Sequence, residues 1–532
     1  MSARIPLLIG VTGHRDLRPD GIDRTLQRVD AFFETLQREY RNTQLVLYSG
    51  LAAGADQLVT EIALTRKVAL RAVLPMPRAL YERDFTETEL PRFRELLARA
   101  ESVVELPLLG SPDGAASEQY ASLGDFLTLR THLLLALWNG VESEEVGGTA
   151  WTIRSRITGR LQADAEHVEP IEAGLTYVIP VERLKLRSPE LPLEGFVGAE
   201  DLDRSKEALR EIEIYNAHIL PEIRAGADSL PPDPVADLAE ARDTADALAV
   251  RYQRSLNRAR KNLHWVVAAL VLTFAVYSEF WRGLPLLFVY LAALTAGIAV
   301  WSRQRRQHVE QRFYDYRALA EALRVQHVWS AGGLARSVAG VYLRKHRGEL
   351  HWIRFVMCGY ATDAAIVDTL ARRREAVEAV QAYEETGETQ QWIAGQRDYF
   401  ERSAIRHAAI LKRSERISGV LLLIGLASAV GSVVTELLGA QQALSACVFL
   451  MAVAPALSGT LSSWLQHAAI AEEASDRTRM ARLFDNGLKD WLARPGYRRA
   501  LVSELGSEAL HENADWLLLH RSRPLEAPLS PG

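Results

Sequence analysis

Three glycine-rich turns in the first 150 residues carry residue types suited to an anionic, nucleotide-like ligand. The first is Ile9-Gly10-Val11-Thr12-Gly13-His14-Arg15. An apolar run ends there in a glycine turn, where the missing Cβ lets backbone N–H groups approach a phosphate closely. His14 and Arg15 add side-chain donors beside it. The same residues also describe a tight turn with a capping histidine and a solvated arginine, and they form neither a Walker A loop nor a full dinucleotide fingerprint. The second turn, Ser49-Gly50-Leu51-Ala52-Ala53-Gly54-Ala55-Asp56, follows a β-type run and opens a helix. A helix N-terminus offers unpaired N–H groups and a dipole that favours an anion. Asp56 has two readings: a bond to a ribose hydroxyl or to the glycine loop, or stabilisation of the first turn of its own helix. The third turn combines Leu135-Ala136-Leu137-Trp138-Asn139-Gly140 with Gly147-Gly148-Thr149-Ala150 across an acidic loop. Glycine turns at the carboxyl end of a strand are where open α/β sheets bind ligands. Glu142, Glu144 and Glu145 read as solvated charge. Arg154 and Arg156 lie within reach of a phosphate, with surface ion pairing as the simpler use.

Other catalytic patterns are missing from the chain. Its 13 histidines do not fall at zinc-binding spacing, and there is no HExxH motif. The two cysteines, Cys358 and Cys447, are far apart in sequence, which points away from a disulfide framework and toward a reducing compartment.

Elements that position the turns follow from hydrophobic patterning. Short β-type runs alternate with helical patterns, the signature of a parallel sheet made of βαβ units. The strands are expected at Ile5 to Val11, Gln44 to Tyr48, Arg71 to Leu74, Ser102 to Leu106 and Leu133 to Trp138, with helices at Gly21 to Tyr40 and Gln57 to Thr65. After Val181 the chain turns polar, and the prolines of Leu230-Pro231-Pro232-Asp233-Pro234 mark a linker. This predicts a Rossmann-like α/β domain over residues 1–230 and an all-α domain over 231–532. The second begins with a long helix from Ala236 to His264, which has no Pro or Gly.

Four apolar segments follow: Leu263 to Trp281, Leu284 to Trp301, Ile417 to Leu438 and Ala443 to Leu465. Each approaches or exceeds the roughly 20 helical residues needed to cross a hydrocarbon core. They pair into two helical hairpins, with burial inside a large soluble protein as the alternative. Arg254, Arg258, Arg260 and Lys261 precede the first hairpin, Arg303, Arg305 and Arg306 follow it, and Lys412, Arg413 and Arg416 precede the second. Because Lys and Arg accumulate on the cytoplasmic side, both termini are expected in the cytoplasm. Trp265, Trp281, Trp301 and Trp464 sit near segment ends, where aromatic side chains favour the interface. Similar short sequences flank both hairpins, which is explained by duplication or by like composition. Pro455 is expected to kink the last segment. Gly425 with Ala429, and Ser458 with Ser462, have the small-x-x-x-small spacing of close helix contacts.

Bulk composition narrows the class further. A length of 532 residues calls for two or more domains, and a net charge of -5 argues against a duplex-DNA binder held by a basic face. The first eight residues lack the apolar core of a signal peptide, so the N-terminal domain is expected to remain in the cytoplasm.

Taken together, the Gly-x-Thr-Gly-His-Arg, Ser-Gly-x-Ala-x-Gly-Ala-Asp, Ala-x-Trp-x-Gly and Gly-Gly-Thr motifs resemble the SLOG superfamily over about the first 180 residues. That superfamily includes the Lonely Guy phosphoribohydrolases, DNA-processing protein A and nucleotide sensors joined to membrane effectors in bacterial conflict systems; related domains open the melastatin-type cation channels. The hairpins with their flanking helices resemble the SLATT effector domains. The resemblance implies a nucleotide or ADP-ribose-type ligand held by Gly13, His14, Arg15, Ser49, Gly50, Gly54, Asp56, Gly147, Gly148 and Thr149. It also implies a homo-oligomeric membrane effector, pore-forming or channel-like, in bacterial defence. One departure bears on chemistry: the phosphoribohydrolases carry a catalytic glutamate after their Gly-Thr pair, whereas here Ala150, Trp151 and Thr152 follow. This favours binding over hydrolysis. A membrane-anchored nucleotide hydrolase or phosphoribohydrolase remains the alternative, with Asp84 or Glu118 as acids that folding could bring to the site.

Overall fold

The computed structural model describes residues 4–108, 116–159, 174–185, 190–198, 202–219, 234–332, 334, 336–342, 351–360, 387–467 and 469–521. Packing divides the chain into two compact units, Met1–Thr244 with Leu319–Thr386, and Ala245–Ala318 with Gly387–Gly532.

The first unit is built on a seven-stranded sheet: β1 (Leu7–Gly13), β2 (Leu45–Ser49), β3 (Ala69–Leu74), β4 (Ser102–Glu105), β5 (Leu133–Trp138), β6 (Leu175–Pro180) and β7 (Gly195–Val197). Their spatial order is β4-β3-β2-β1-β5-β6-β7. Every neighbouring pair is parallel except β6 with β7. All five expected strands are present, shifted by a residue or two at most ends. The sequence pattern missed β6 and β7: β6 is a short run ending at Pro180, and β7 has only three residues, too few to show a period.

The helices of this part are α1 (Ile22–Glu39), α2 (Ala55–Thr65), α3 (Arg78–Tyr81), α4 (Leu90–Ala98), α5 (Ala116–Arg130), α6 (Thr149–Thr158) and α7 (Leu202–His218). On α1, Val29, Phe32, Phe33 and Leu36 follow helical spacing and are buried. Leu8, Val46, Tyr48 and Val73 of the sheet pack with Leu123, Phe126 and Leu127 of α5. Leu7, Ile9, Leu47 and Ala72, which alternate with them, are equally buried. Burial on both faces explains why these strands read as continuous apolar runs.

Beyond α7 the chain forms α8 (Pro234–Glu279), α9 (Leu284–Arg306), α10 (Val309–Ala331), α11 (His351–Tyr360), α12 (Gly387–Leu437), α13 (Gln441–His467), α14 (Ile470–Ala493) and α15 (Arg498–Arg521). α11 belongs to the first unit. Its Phe355 stacks on His132 with ring centroids 4.9 Å apart, and the Gly359 carbonyl accepts a 2.6 Å bond from Arg130. Burial and the nearby Arg156 and Arg130 push His132 down to about 3, so its ring is neutral. Its Nδ1 accepts from the Leu8 N–H at 3.2 Å.

The second unit is helical. The long helix expected from Ala236 to His264 continues without a break through the first apolar segment to Glu279. Four helices are long and apolar enough to cross a membrane. In the most apolar stretch of α9, only 6% of residues are buried. Phe288 is 68% exposed, and on α12 Leu426 is 65% exposed. Within α13 the helix runs through Pro455, whose ring lies where a side chain on Gly425 of α12 would sit, 2.7 Å from that Cβ position. Ser418 and Ser458 join the same two helices by a 2.5 Å hydroxyl contact. Gly425, Ser458 and Ser462, three of the small residues singled out in the sequence, thus lie at the contact between these helices.

Candidate functional site

Strand order reverses between β1 and β5: the chain builds outward from β1 through β2, β3 and β4, then returns to the other side of β1. In an open α/β sheet the crevice for a ligand lies at this switch point, outside the carboxyl ends of the strands. Gly13, His14 and Arg15 end β1, and Trp138 and Asn139 end β5, so the first and third glycine motifs meet there. The contact is direct, with His14 Nε2 2.9 Å from Asn139 Oδ1. Burial and the Arg183 charge hold the His14 imidazole below its ordinary value, which favours a neutral ring, and its Nε2 also faces the Asn139 N–H, which donates to it at 3.4 Å.

The second motif joins the first through close backbone approach. Gly54 sits at φ +87°, and a Cβ there would lie 2.3 Å from the Arg15 carbonyl oxygen. Gly13 is equally enclosed, with Ala55 Cβ 2.4 Å from its own Cβ position. These two glycines let β1 and the start of α2 touch. The contact also occupies donors: the Ala55 N–H bonds the His14 carbonyl at 3.1 Å, and the Gln57 N–H bonds that of Ala52 at 3.3 Å. Part of the anion-binding capacity expected of the α2 N-terminus is thus taken by the chain itself.

Ser49 and Asp56 serve the turn between β2 and α2. Ser49 is buried, and its Oγ accepts from the Leu51 N–H and from Thr60, each at 3.1 Å. The Gly50 carbonyl accepts from Tyr81 Oη at 3.0 Å. Asp56 is buried beneath this turn, 3.4 Å from the Cβ position of Gly50. Its burial pushes the carboxyl up to about 7, against the opposing pull of Arg15 and a hydrogen bond from the Ala52 backbone. Asp56 stands in the first turn of α2, and the hydrogen bond from the Ala52 backbone ties it to the glycine loop.

Tyr120 on α5, which the sequence reading missed, gathers the rest. Its hydroxyl accepts a 2.6 Å bond from the Arg15 guanidinium, which also lies 5.0 Å from the ring centroid, and donates to Asp84. Gly147, at φ +81°, packs its backbone beside the Tyr120 Cβ. Gly148 is the extended N-cap of α6, which begins at Thr149 and has no side-chain cap. Asp84 therefore lies beside Arg15 as sequence alone could not reveal, because 36 residues separate it from Tyr120.

Neither of the other two arginines contributes here. Arg154 pairs with Glu142 at 3.0 Å, the surface pairing anticipated for it. Arg156 is buried rather than exposed, and donates to the Thr128, Thr131 and His132 carbonyls at 2.6 to 2.8 Å. Burial lowers it to about 10. No protein-family model matches the chain, and no curated protein does. No group of three or more potential metal ligands occurs among the described residues.

One polar group at the switch point lacks a partner. Asn139 is 1% exposed, its Oδ1 serves His14 and the Val141 N–H, and its Nδ2 has no acceptor among the described residues. A buried donor left unmatched costs about 1–3 kcal/mol, and Asn139 Nδ2 is one of several such buried side-chain atoms among the described residues.

Proposed function

We propose that the chain is a nucleotide-sensing membrane protein, in which a SLOG-like domain binds a nucleotide-derived ligand and the apolar helices respond. The observation that carries this reading is the group at the β1/β5 switch point: neutral His14, the unmatched Asn139 amide, and Arg15 beside an uncapped helix N-terminus. Arg15 supplies charge for a phosphate, while His14 and Asn139 suit the hydroxyls or base edge of a nucleoside. The other half of the reading rests on four long apolar helices whose large side chains face outward. A soluble protein rarely exposes so many together. In this reading they form two hairpins spanning the membrane, with both termini and the ligand site in the cytoplasm, and several copies assemble. Ligand binding shifts the membrane part only if the ligand binds its two states unequally.

The test is titration of the full chain in detergent with ADP-ribose and with nucleoside mono- and diphosphates, followed by thermal shift. Binding is expected, and Arg15→Ala should weaken it roughly 10- to 100-fold, as for loss of a charged hydrogen bond. If no compound in that panel or in a nucleotide extract binds, and dye-loaded liposomes carrying the protein stay sealed, the proposal fails.

A hydrolase is the second reading. It is favoured by Asp56, whose proton is held to about pH 7, and by Asp84, linked through Tyr120 to Arg15. Release of free base from nucleoside monophosphates, lost in Asp84→Asn, would establish it.

A further inference from the structure

Far from the sheet in sequence, Glu473 on α14 carries an unusual set of partners. Its side chain is 11% exposed. Its Oε2 faces His407 Nε2 at 3.0 Å and Arg477 Nη2 at 2.9 Å. Its Oε1 faces His520 Nε2 at 3.2 Å and accepts from Trp516 Nε1 at 2.9 Å. Each histidine is engaged at its other nitrogen too: His407 Nδ1 lies 2.7 Å from the Ser403 carbonyl, and His520 Nδ1 lies 2.8 Å from that of Trp516. Carbonyl and carboxylate oxygens only accept. His407 must therefore carry hydrogen on both nitrogens for its bonds to the Ser403 carbonyl and to Glu473 to form together, which is the imidazolium state; the Ser403 hydroxyl lies 3.4 Å from the same Nδ1.

These residues come from three helices. His407 lies on α12 just before its apolar stretch, Glu473 on α14 just after α13, and His520 near the end of α15. We infer that Glu473, His407 and His520 form a proton-operated clasp, closed while the His407 imidazole is protonated, which holds the helix entering one apolar segment to the helix leaving the next. When the His407 ring loses a proton it keeps one N–H, so its bond to Glu473 or its bond to the Ser403 carbonyl is lost. The clasp then loosens.

Other charged and titratable groups frame it. Arg477 is held by Tyr399 Oη at 3.2 Å from α12, with Glu512 nearby on α15. Asp476, Arg479 and Asp515 line the adjoining surface depression. Tyr314 stands 5.8 Å from the His520 ring and bonds Glu310 and Arg260, and Asp315 pairs with Arg521 at 2.5 Å. The hydrogen bond to Glu473 raises His407 above its ordinary value of 6.5 despite burial, while the same partners and Arg477 hold Glu473 well below the usual carboxylate range against its own burial. A raised basic group stabilises fully below 6.5, and its contribution fades as pH climbs through the raised value. The clasp thus opens on the alkaline side.

Hydrogen exchange on the full chain in nanodiscs, corrected for intrinsic rates between pH 5.5 and 8.5, tests this. Peptides around His407 and His520 should lose protection at least tenfold as pH rises, whereas peptides of the sheet should not. His407→Gln with His520→Gln should abolish that difference. Glu473→Gln, which keeps the shape and removes the charge, should move the transition to lower pH. Protection that is flat across the range, or a transition unmoved by either variant, would overturn the inference.

Discussion

At the residue scale, Asp56 and Gly54 show how far the glycine turns serve the fold. Asp56 is buried and its proton is held to about pH 7, above the ordinary 3.8, chiefly by burial. A carboxyl raised in this way contributes stability below pH 3.8 and loses it as pH climbs through about 7, because the ionised form is poorly solvated. Asp56→Asn keeps an acceptor for the Ala52 N–H and cannot ionise. It should therefore raise the unfolding temperature more at pH 8 than at pH 5, with an effect of up to about 4 kcal/mol at high pH and less than half of that at pH 5. Differential scanning calorimetry at both pH values checks this; equal shifts at both would count against it. Gly54→Ala places a Cβ on the Arg15 carbonyl at a backbone angle unsuited to a side chain. It should destabilise by roughly 1–3 kcal/mol or more and distort the Arg15 turn, read as a lower unfolding temperature together with weaker ligand binding. The site's residue types were legible as motifs, because glycine turns have local signatures. The partners Tyr120 and Tyr81 were not, since nothing in their neighbouring sequence marks them as facing Arg15, and Asp84 was named only as an acid that folding could bring to the site.

At the element scale, local pattern served best where burial is uniform. The central strands lie inside the sheet and read as unbroken apolar runs, so β1, β2, β3 and β5 emerged close to their observed bounds. β7 is three residues long and edges the sheet, so its pairing with β6 supplies what its own pattern lacks. The seam between α12 and α13 yields a further prediction. Gly425→Val would push a branched side chain into the Pro455 ring, and overpacking of this kind costs about 1–3 kcal/mol. Thermal unfolding in detergent should show a lower midpoint for Gly425→Val than for Gly419→Val, because Gly419 has open space around it.

At the scale of the whole molecule, the proposal of two spanning hairpins makes the short connections testable. With Cys358 and Cys447 replaced by serine, a cysteine at Arg282 or Gln441 should react with a membrane-impermeant maleimide added to intact cells, and one at Arg303 or Lys412 only after lysis. The reverse pattern would invert the topology, and labelling of none of the four in intact cells but of all four after lysis would remove the membrane from the account. The sequence by itself determined the strand–turn–helix order, the three glycine turns and the four apolar stretches, because each depends on neighbours within a few residues and on the hydropathy of one segment. Only tertiary structure decided that β5 returns beside β1 and brings Asn139 to His14, that α11 packs into the first unit after more than 100 intervening residues, and that three helices converge on Glu473. Such meetings depend on packing between segments distant in the chain, and the free energy of that packing leaves no periodic trace in either segment alone.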